Sequence, residues 1–196
     1  MSARAHLRTA TAEAHERVDQ LFSRCDLSDP GRYGDFLAAQ AAAFLPAEEA
    51  ISGPRLENLL PDWTGRRRSA LLLADLAELG RPVPPLLPTP ALTGPAALLG
   101  AAYVLEGSRL GGTYLKRAVG AAMPVRFLAA PQARGAWRIL LATLDRHLTE
   151  HDALDAATQG ALRVFALFET AARSVQQRAN AAPPDKATSP LILRSR

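Results

Sequence analysis

Apolar residues recur along this chain every three or four positions, which is the spacing of amphipathic helices. The first such pattern predicts a helix from Ser2, a plausible N-cap, to about Arg24. A second helix is predicted from the Asp29-Pro30 cap, with Pro46 kinking or ending it and Gly53-Pro54 breaking the chain. The positions expected to be buried in the first helix are Leu7, Thr11, Ala14, Val18, Leu21 and Phe22.

The rest of the pattern predicts further helices separated by proline and glycine. A leucine-rich helix is expected from Asp62 or Thr64 to a stop at Gly80, followed by a stiff, extended, proline-rich connection over Arg81–Pro95. A glycine-bearing helix comes next, then a loop near Met123-Pro124. The last two predicted helices begin at about Pro131 and at a cap formed by Asp152.

Composition favours a single all-α domain over residues 1–180, with a disordered tail over residues 181–196. Apolar residues make up 48% of the chain and charged residues 21%, as in ordinary globular proteins, and alanine and leucine dominate. The formal net charge is +4, but the tail carries three basic residues and one acidic residue, which leaves +2 for residues 1–180. This charge is too small to indicate nucleic acid binding.

Cysteine use and hydropathy indicate a cytoplasmic protein. Cys25 is the only cysteine, so an internal disulfide is impossible, which fits a reducing compartment. The first residues contain no apolar signal segment, and no run of 18 residues is apolar enough to span a membrane.

The stretch Tyr103–Lys116 places three glycines inside an apolar helical region. Each glycine costs a helix roughly 1 kcal/mol relative to alanine, so a compensating gain is expected. Gly107 and Gly111 share one helix face, and Gly112 is predicted to widen the same bare strip. Two interpretations are open: close packing of another helix, or a helix kinked over a planar ligand. A phosphate loop is not expected, because no strand precedes the stretch and the Gly-x4-Gly-Lys-Ser/Thr spacing is absent.

A second line of residues lies beside the buried side of the first helix. Arg8, Ala12, His15 and Asp19 follow each other at spacings of four, three and four residues, so they share one edge. This edge places a cation, an imidazole and a carboxylate in a row. A lone histidine on a helix edge is commonly a surface residue, and Asp19 alone can equally be a solvated charge.

Two stretches together resemble the haem oxygenase family. The segment Leu7–Asp19 is similar to the proximal helix of these enzymes, and Tyr103–Gly112 resembles their distal helix, especially in the bacterial branch associated with bacteriophytochromes. The order of the other helices also agrees, so the resemblance covers roughly residues 5–180. It implies an all-α bundle with haem between the first helix and a kinked, glycine-rich distal helix.

The resemblance implies specific roles on the proximal side. His15 is expected to be the axial ligand of the haem iron, and Asp19 to accept the imidazole Nδ1–H directly or through water. Arg8 corresponds to the basic residue that pairs with a haem propionate in this family. Lys116 is a candidate for the other propionate, as are Arg117, Arg134 and Arg138, and spacing does not choose among them.

On the distal side, the resemblance implies that Gly107, Gly111 and Gly112 let the helix backbone approach the macrocycle and leave room for O2. Ser108 replaces the aspartate that anchors the distal water network in mammalian members, as it often does in bacterial ones. Tyr103 is expected to reach a propionate or this network, or else to be a packed core tyrosine.

The implied reaction uses O2 and external electrons to open haem into biliverdin, carbon monoxide and free iron. Because no flavin or nicotinamide motif is present, the electrons are expected from a ferredoxin or a reductase. The product is expected to supply a bacteriophytochrome chromophore or to release iron. Two alternatives remain: a haem carrier of the same fold without activity, and a helical interaction module that binds no haem.

Overall fold

The chain folds into helices, and no strand occurs among the residues that the structure describes, residues 2–181 of a computed structural model. The predicted tail therefore lies outside the described residues, apart from Ala181. The helices are α1 Ala3–Ala10, α2 Ala12–Phe22, α3 Pro30–Ile51, α4 Pro54–Glu57, α5 Trp63–Arg66, α6 Ser69–Glu78, α7 Gly94–Leu115, a 3-10 turn Lys116–Ala118, α8 Ala136–His147 and α9 His151–Ala181.

The predicted first helix is divided at Thr11 into α1 and α2. Ser2 caps α1 as predicted, because its hydroxyl accepts the Ala5 N–H at 3.2 Å. At Thr11 the hydroxyl donates to the Leu7 carbonyl at 2.7 Å, and the Thr11 N–H donates to the same oxygen at 2.9 Å. Such a hydroxyl bond to the preceding turn bends helices. The six positions predicted to be buried are all buried, so the predicted face is confirmed.

Pro46 does not end α3, which continues to Ile51. Proline has no N–H, so the carbonyl of Ala42, four residues earlier, loses its helical donor. The Leu87 N–H supplies the missing hydrogen bond to that carbonyl at 3.0 Å. Leu87 belongs to the predicted proline-rich segment. This segment therefore supplies the hydrogen-bond donor that α3 itself lacks at Pro46, which is why the helix continues.

The predicted third helix is also divided, into α5 and α6, because a buried carboxylate takes the first N–H groups of α6. Glu48 of α3 is 1% exposed and accepts the N–H groups of Arg68 and Ser69 at 2.7 and 3.0 Å. Free N–H groups at a helix start need such acceptors. Gly80 follows α6 with φ +64°, which fits its predicted role as a stop.

Helix α8 begins later than the sequence predicts. The helix begins at Ala136, directly after Gly135 with φ +82°, and not near Pro131. The last helix, α9, begins at His151, so Asp152 lies in its first turn and is not the predicted cap.

The backbones of α7 and α9 touch where the two helices cross, and each helix has a glycine there. A Cβ on Gly100 would collide with the carbonyl of Ala157, and a Cβ on Gly160 would collide with the carbonyl of Ala97. The close-packing interpretation of glycine therefore holds for this crossing, which lies outside the Tyr103–Lys116 stretch. Because α9 also packs against α1, α2 and α3, it fixes the helix that carries His15 relative to the helix that carries Gly107.

Candidate functional site

One face of α7 changes from buried to open along its length. Tyr103, Gly107, Gly111 and Tyr114 follow each other at spacings of four, four and three residues, so they share this face. Tyr103 is half-buried, whereas the Tyr114 residue is 72% exposed. A Cβ added to Gly111 would meet no atom within 4 Å. Leu110 beside it is 58% exposed, so the open part of the face is apolar.

The three predicted distal glycines do not have the same surroundings. A Cβ on Gly107 would lie 3.8 Å from the indole of Trp137, which is ordinary contact, so Gly107 and Gly111 belong to the open face. A Cβ on Gly112 would lie 3.1 Å from the Leu128 carbonyl oxygen, and Gly112 is buried. The prediction that Gly112 widens the bare strip is therefore wrong. Gly112 lets α7 approach the loop before α8.

His15 projects from α2 and is largely accessible. Its side chain is 62% exposed, and its Nε2 lies 3.5 Å from Oδ2 of Asp19, which is 67% exposed. His15 and Asp19 are neighbours, but the nitrogen nearer the carboxylate is Nε2, whereas the resemblance implied a hydrogen bond from Nδ1. On its other side the imidazole packs against Phe165 of α9, with 5.6 Å between ring centroids. An accessible imidazole held by one aromatic ring and one carboxylate is available to bind a metal.

Tyr103 is half-buried in α7, and the charges of Arg4 and Arg8 in α1 act on its phenol. Burial raises the pKa of Tyr103 above its usual value, and the positive charges of Arg4 and Arg8 partly oppose this rise. The Tyr103 ring lies 5.7 Å from the ring of Trp137 in α8. A phenol hydroxyl with two cations in its neighbourhood is suited to binding a carboxylate. Arg8 and Tyr103, predicted separately for this role, are linked through the effect of the Arg8 charge on the pKa of Tyr103.

Ser108 faces a buried arginine. Its hydroxyl accepts a hydrogen bond from Nη2 of Arg68 at 2.6 Å and donates to the Leu105 carbonyl at 2.7 Å. A serine hydroxyl has one proton and two acceptor positions. Both its proton and one acceptor position are therefore used, and Ser108 has one acceptor position left for a further donor such as water.

Behind the open face lies a buried ionic network that the sequence analysis missed. Glu106 accepts from Arg66 at 3.2 Å and from Arg109 at 2.8 Å, and Gln132 donates to it at 3.2 Å. The Arg66 guanidinium also holds Asp62. These groups border a cavity of about 110 Å³ between α5, α7 and the loop before α8. Charged residues usually indicate a solvated surface, so helical spacing gave no signal of this network.

The predicted basic residues after the distal helix lie at the surface. Lys116 and Arg117 are exposed in the 3-10 turn that follows α7. Among residues 2–181, none of the helices has the length and hydrophobicity that crossing a bilayer requires.

Comparison with known proteins relates the chain to enzymes of one kind. It is 33% identical over 148 residues to heme oxygenase from Xanthomonas campestris pv. campestris, covering 72% of this chain and 89% of that protein. It is 31% identical over 172 residues to heme oxygenase PigA from Pseudomonas aeruginosa, covering 83% and 87% of the two chains. No profile of a known protein family matches the sequence.

The fold agrees with these relatives. The crystal structure of the NO- and CO-bound heme oxygenase from Neisseria meningitidis superposes with a TM-score of 0.79 at 22% identity, over 97% of this chain and 100% of the other. The sequence relatives and the all-α fold together define an oxidoreductase of the haem-degrading class. The chain belongs to the haem oxygenase family.

Proposed function

We propose that this protein binds haem between α2 and α7 and cleaves it, with O2 and electrons from an external donor, to biliverdin, carbon monoxide and iron. The observation that carries the proposal is the open apolar face of α7. Gly111 has no neighbour within 4 Å of a Cβ position, and Leu110 and Tyr114 are exposed beside it. A folded protein covers such a face with an apolar ligand or partner more often than it leaves the face in water.

The residues present fit haem as a substrate. His15 is an accessible imidazole and would serve as the axial ligand, while Asp19, 3.5 Å away, would restrain the ring. Arg8 and Tyr103 would bind one propionate, and Lys116, exposed after α7, is available to the other. Bound haem would supply both the iron at which O2 reacts and the ring that is opened.

The distal residues would shape and hydrate the space over the ring. Gly107 and Gly111 expose helix backbone where a side chain would occupy the ligand's place. Ser108 would accept a hydrogen bond from a water molecule but would not donate one, since its proton is held by Leu105. Gly112 would act indirectly, because its contact with Leu128 fixes the end of α7.

The reaction further requires an electron donor, for which we propose a ferredoxin or a reductase. The net charge of +2 on residues 1–180 favours an acidic donor. We also propose a cytoplasmic location, a catalytic domain over residues 1–180 with a separate tail, and an outlet in phytochrome chromophore supply or iron release.

An anaerobic hemin titration, followed by ascorbate and air in the same cuvette, tests the proposal. We expect a Soret band that saturates at one haem per chain and then decays into biliverdin absorption. A stable complex that also survives a ferredoxin system would indicate a carrier and contradict the proposed cleavage. A titration without a saturable band would contradict haem binding altogether.

A further inference from the structure

Arg68 is a buried cation that forms no ion pair with the described carboxylates. The residue is 2% exposed, and burial, together with the charge of Arg109, lowers the pKa of its guanidinium to about 9. In place of a carboxylate, two aromatic rings contact it. The guanidinium carbon lies 4.7 Å from the centre of the Phe44 ring and 4.9 Å from that of Phe127. Such cation–π contacts recover only part of the cost of burying a charge.

Arg68 directs its hydrogen bonds at one turn of α7. Its Nη2 donates to the Leu105 carbonyl and to Ser108 Oγ, both at 2.6 Å. These two acceptors flank Gly107, where the open face begins. The Leu105 carbonyl also receives the Ser108 hydroxyl at 2.7 Å, so the three groups form a closed triangle of hydrogen bonds.

The position of Arg68 is set by elements other than α7. Its backbone N–H donates to the buried Glu48 carboxylate at 2.7 Å, and Phe44 lies one turn before Glu48 in the same helix, α3. Phe127 belongs to the loop between α7 and α8 and packs against Phe44 at 5.1 Å between ring centroids. The guanidinium is therefore a fixed point against which the α7 turn is held.

We infer that Arg68 is a positioning residue for the haem site. Its guanidinium holds the Leu105–Ser108 turn of α7. It also orients the Ser108 hydroxyl, so that Ser108 offers only an acceptor position to further donors. The inference rests on the proposed function for its link to haem, but its structural part concerns the protein without ligand. Arg68 does not touch the open face; it acts through Ser108 and the α7 backbone.

The structural part is tested on the haem-free protein by hydrogen–deuterium exchange of peptides covering residues 103–115. Arg68→Met fills the same space without hydrogen bonds, and Arg67→Met is the matched control, because Arg67 is 43% exposed and makes only long ion pairs. We expect exchange in this segment to accelerate about tenfold in Arg68→Met, as for loss of a buried charged donor, and to stay unchanged in Arg67→Met. Equal exchange in both variants would overturn the inference.

The link to haem is tested with carbon monoxide as a probe of the reduced complex. The C–O stretching band reports the electric field and hydrogen bonds around the bound gas. We expect Arg68→Met to shift the band with an unchanged stoichiometry of haem binding, and Arg68→Lys, which keeps a donor and a charge, to restore much of the native frequency.

A double-mutant cycle shows whether Arg68 acts through Ser108. Ser108→Ala should shift the band as well, and adding Arg68→Met to it should add little, because the two residues act as one unit. Additive shifts would contradict the proposed route. If the native chain binds no haem, the proposed function fails while the exchange experiment still decides the structural part.

Discussion

Gly100 and Gly111 lie three turns apart on the same side of α7 and are glycines for opposite reasons. A Cβ on Gly100 would collide with the Ala157 carbonyl, whereas a Cβ on Gly111 would meet nothing within 4 Å. The first glycine lets α7 and α9 touch, and the second leaves a surface bare. One helix side thus passes from a packed crossing to the open face.

This difference predicts opposite effects of the same substitution. Gly100→Ala should destabilise the haem-free protein by about 1–3 kcal/mol or more, because the added methyl group forces two backbones apart. Gly111→Ala should stabilise it by up to about 1 kcal/mol through helix propensity. Urea unfolding followed by circular dichroism measures both. Destabilisation by Gly111→Ala would mean that its surroundings are packed and that the open face is misassigned.

A larger side chain at Gly111 should separate folding from function. Gly111→Leu should fold at least as stably as the native chain, since the added atoms point into free space. It should impair haem binding or turnover much more than Gly111→Ala does. A hemin titration and a biliverdin assay on the two variants measure this dependence on size. Native activity in Gly111→Leu would count against an open distal face.

The role of His15 has an internal control in His151. Both are exposed histidines with a carboxylate four residues later, at 3.5 Å for His15–Asp19 and 3.4 Å for His151–Asp155. Loss of a residue that hydrogen-bonds to a metal ligand typically weakens metal binding roughly 10–100-fold. His15→Ala removes the proposed ligand itself and should weaken haem binding by more than that. His151→Ala should leave it unchanged. Imidazole added to His15→Ala should recover a Soret band, and equal effects of the two variants would refute the ligand assignment.

The helix that carries His15 shows how far the sequence determines this fold. The buried side from Leu7 to Phe22 followed from spacing alone, because burial of one helix face imposes that spacing. The division at Thr11 did not, since a threonine hydroxyl can bond to solvent or to the preceding turn with the same sequence. Continuation of α3 past Pro46 depends on Leu87, which is distant in sequence. Tertiary partners are not visible in local patterns.

Some residues of the candidate site could likewise be predicted from the sequence, and others could not. The motif around Gly107 and the His15 edge were predictable, because a bare strip and a line of functional groups are local properties of a helix. Arg68 was not, because its partners Phe44, Leu105 and Ser108 come from separate parts of the chain. Gly112 was misassigned because spacing alone does not reveal the Leu128 carbonyl beside it.

The coupling between Arg8 and Tyr103 predicts a measurable titration shift. Burial raises the pKa of Tyr103, and the Arg4 and Arg8 charges lower it by favouring the phenolate. Arg8→Met removes one of these charges, so the pKa of Tyr103 should rise further. Arg173→Met, which removes an exposed arginine paired with Glu169, should not change it. Carbon-13 NMR of labelled tyrosine during an alkaline titration separates Tyr103 from the other tyrosines. An unchanged pKa of Tyr103 in Arg8→Met would place Arg8 too far away to share a carboxylate with Tyr103.

Glu106 should be the costliest carboxylate to neutralise near the site. It is 1% exposed and accepts from both Arg66 and Arg109, so Glu106→Gln leaves the buried Arg109 without its carboxylate partner and Arg66 with Asp62 alone. Breaking a buried pair in this way costs about 3–5 kcal/mol. Glu49→Gln is the matched control, because Glu49 is 73% exposed and lies 3.7 Å from Arg67; it should cost no more than about 1 kcal/mol. Thermal unfolding of the two haem-free variants compares them directly.

Since Glu106 immediately precedes Gly107, its loss should also accelerate hydrogen exchange in residues 103–115. A stable Glu106→Gln variant with native exchange would show that the network does not support the open face.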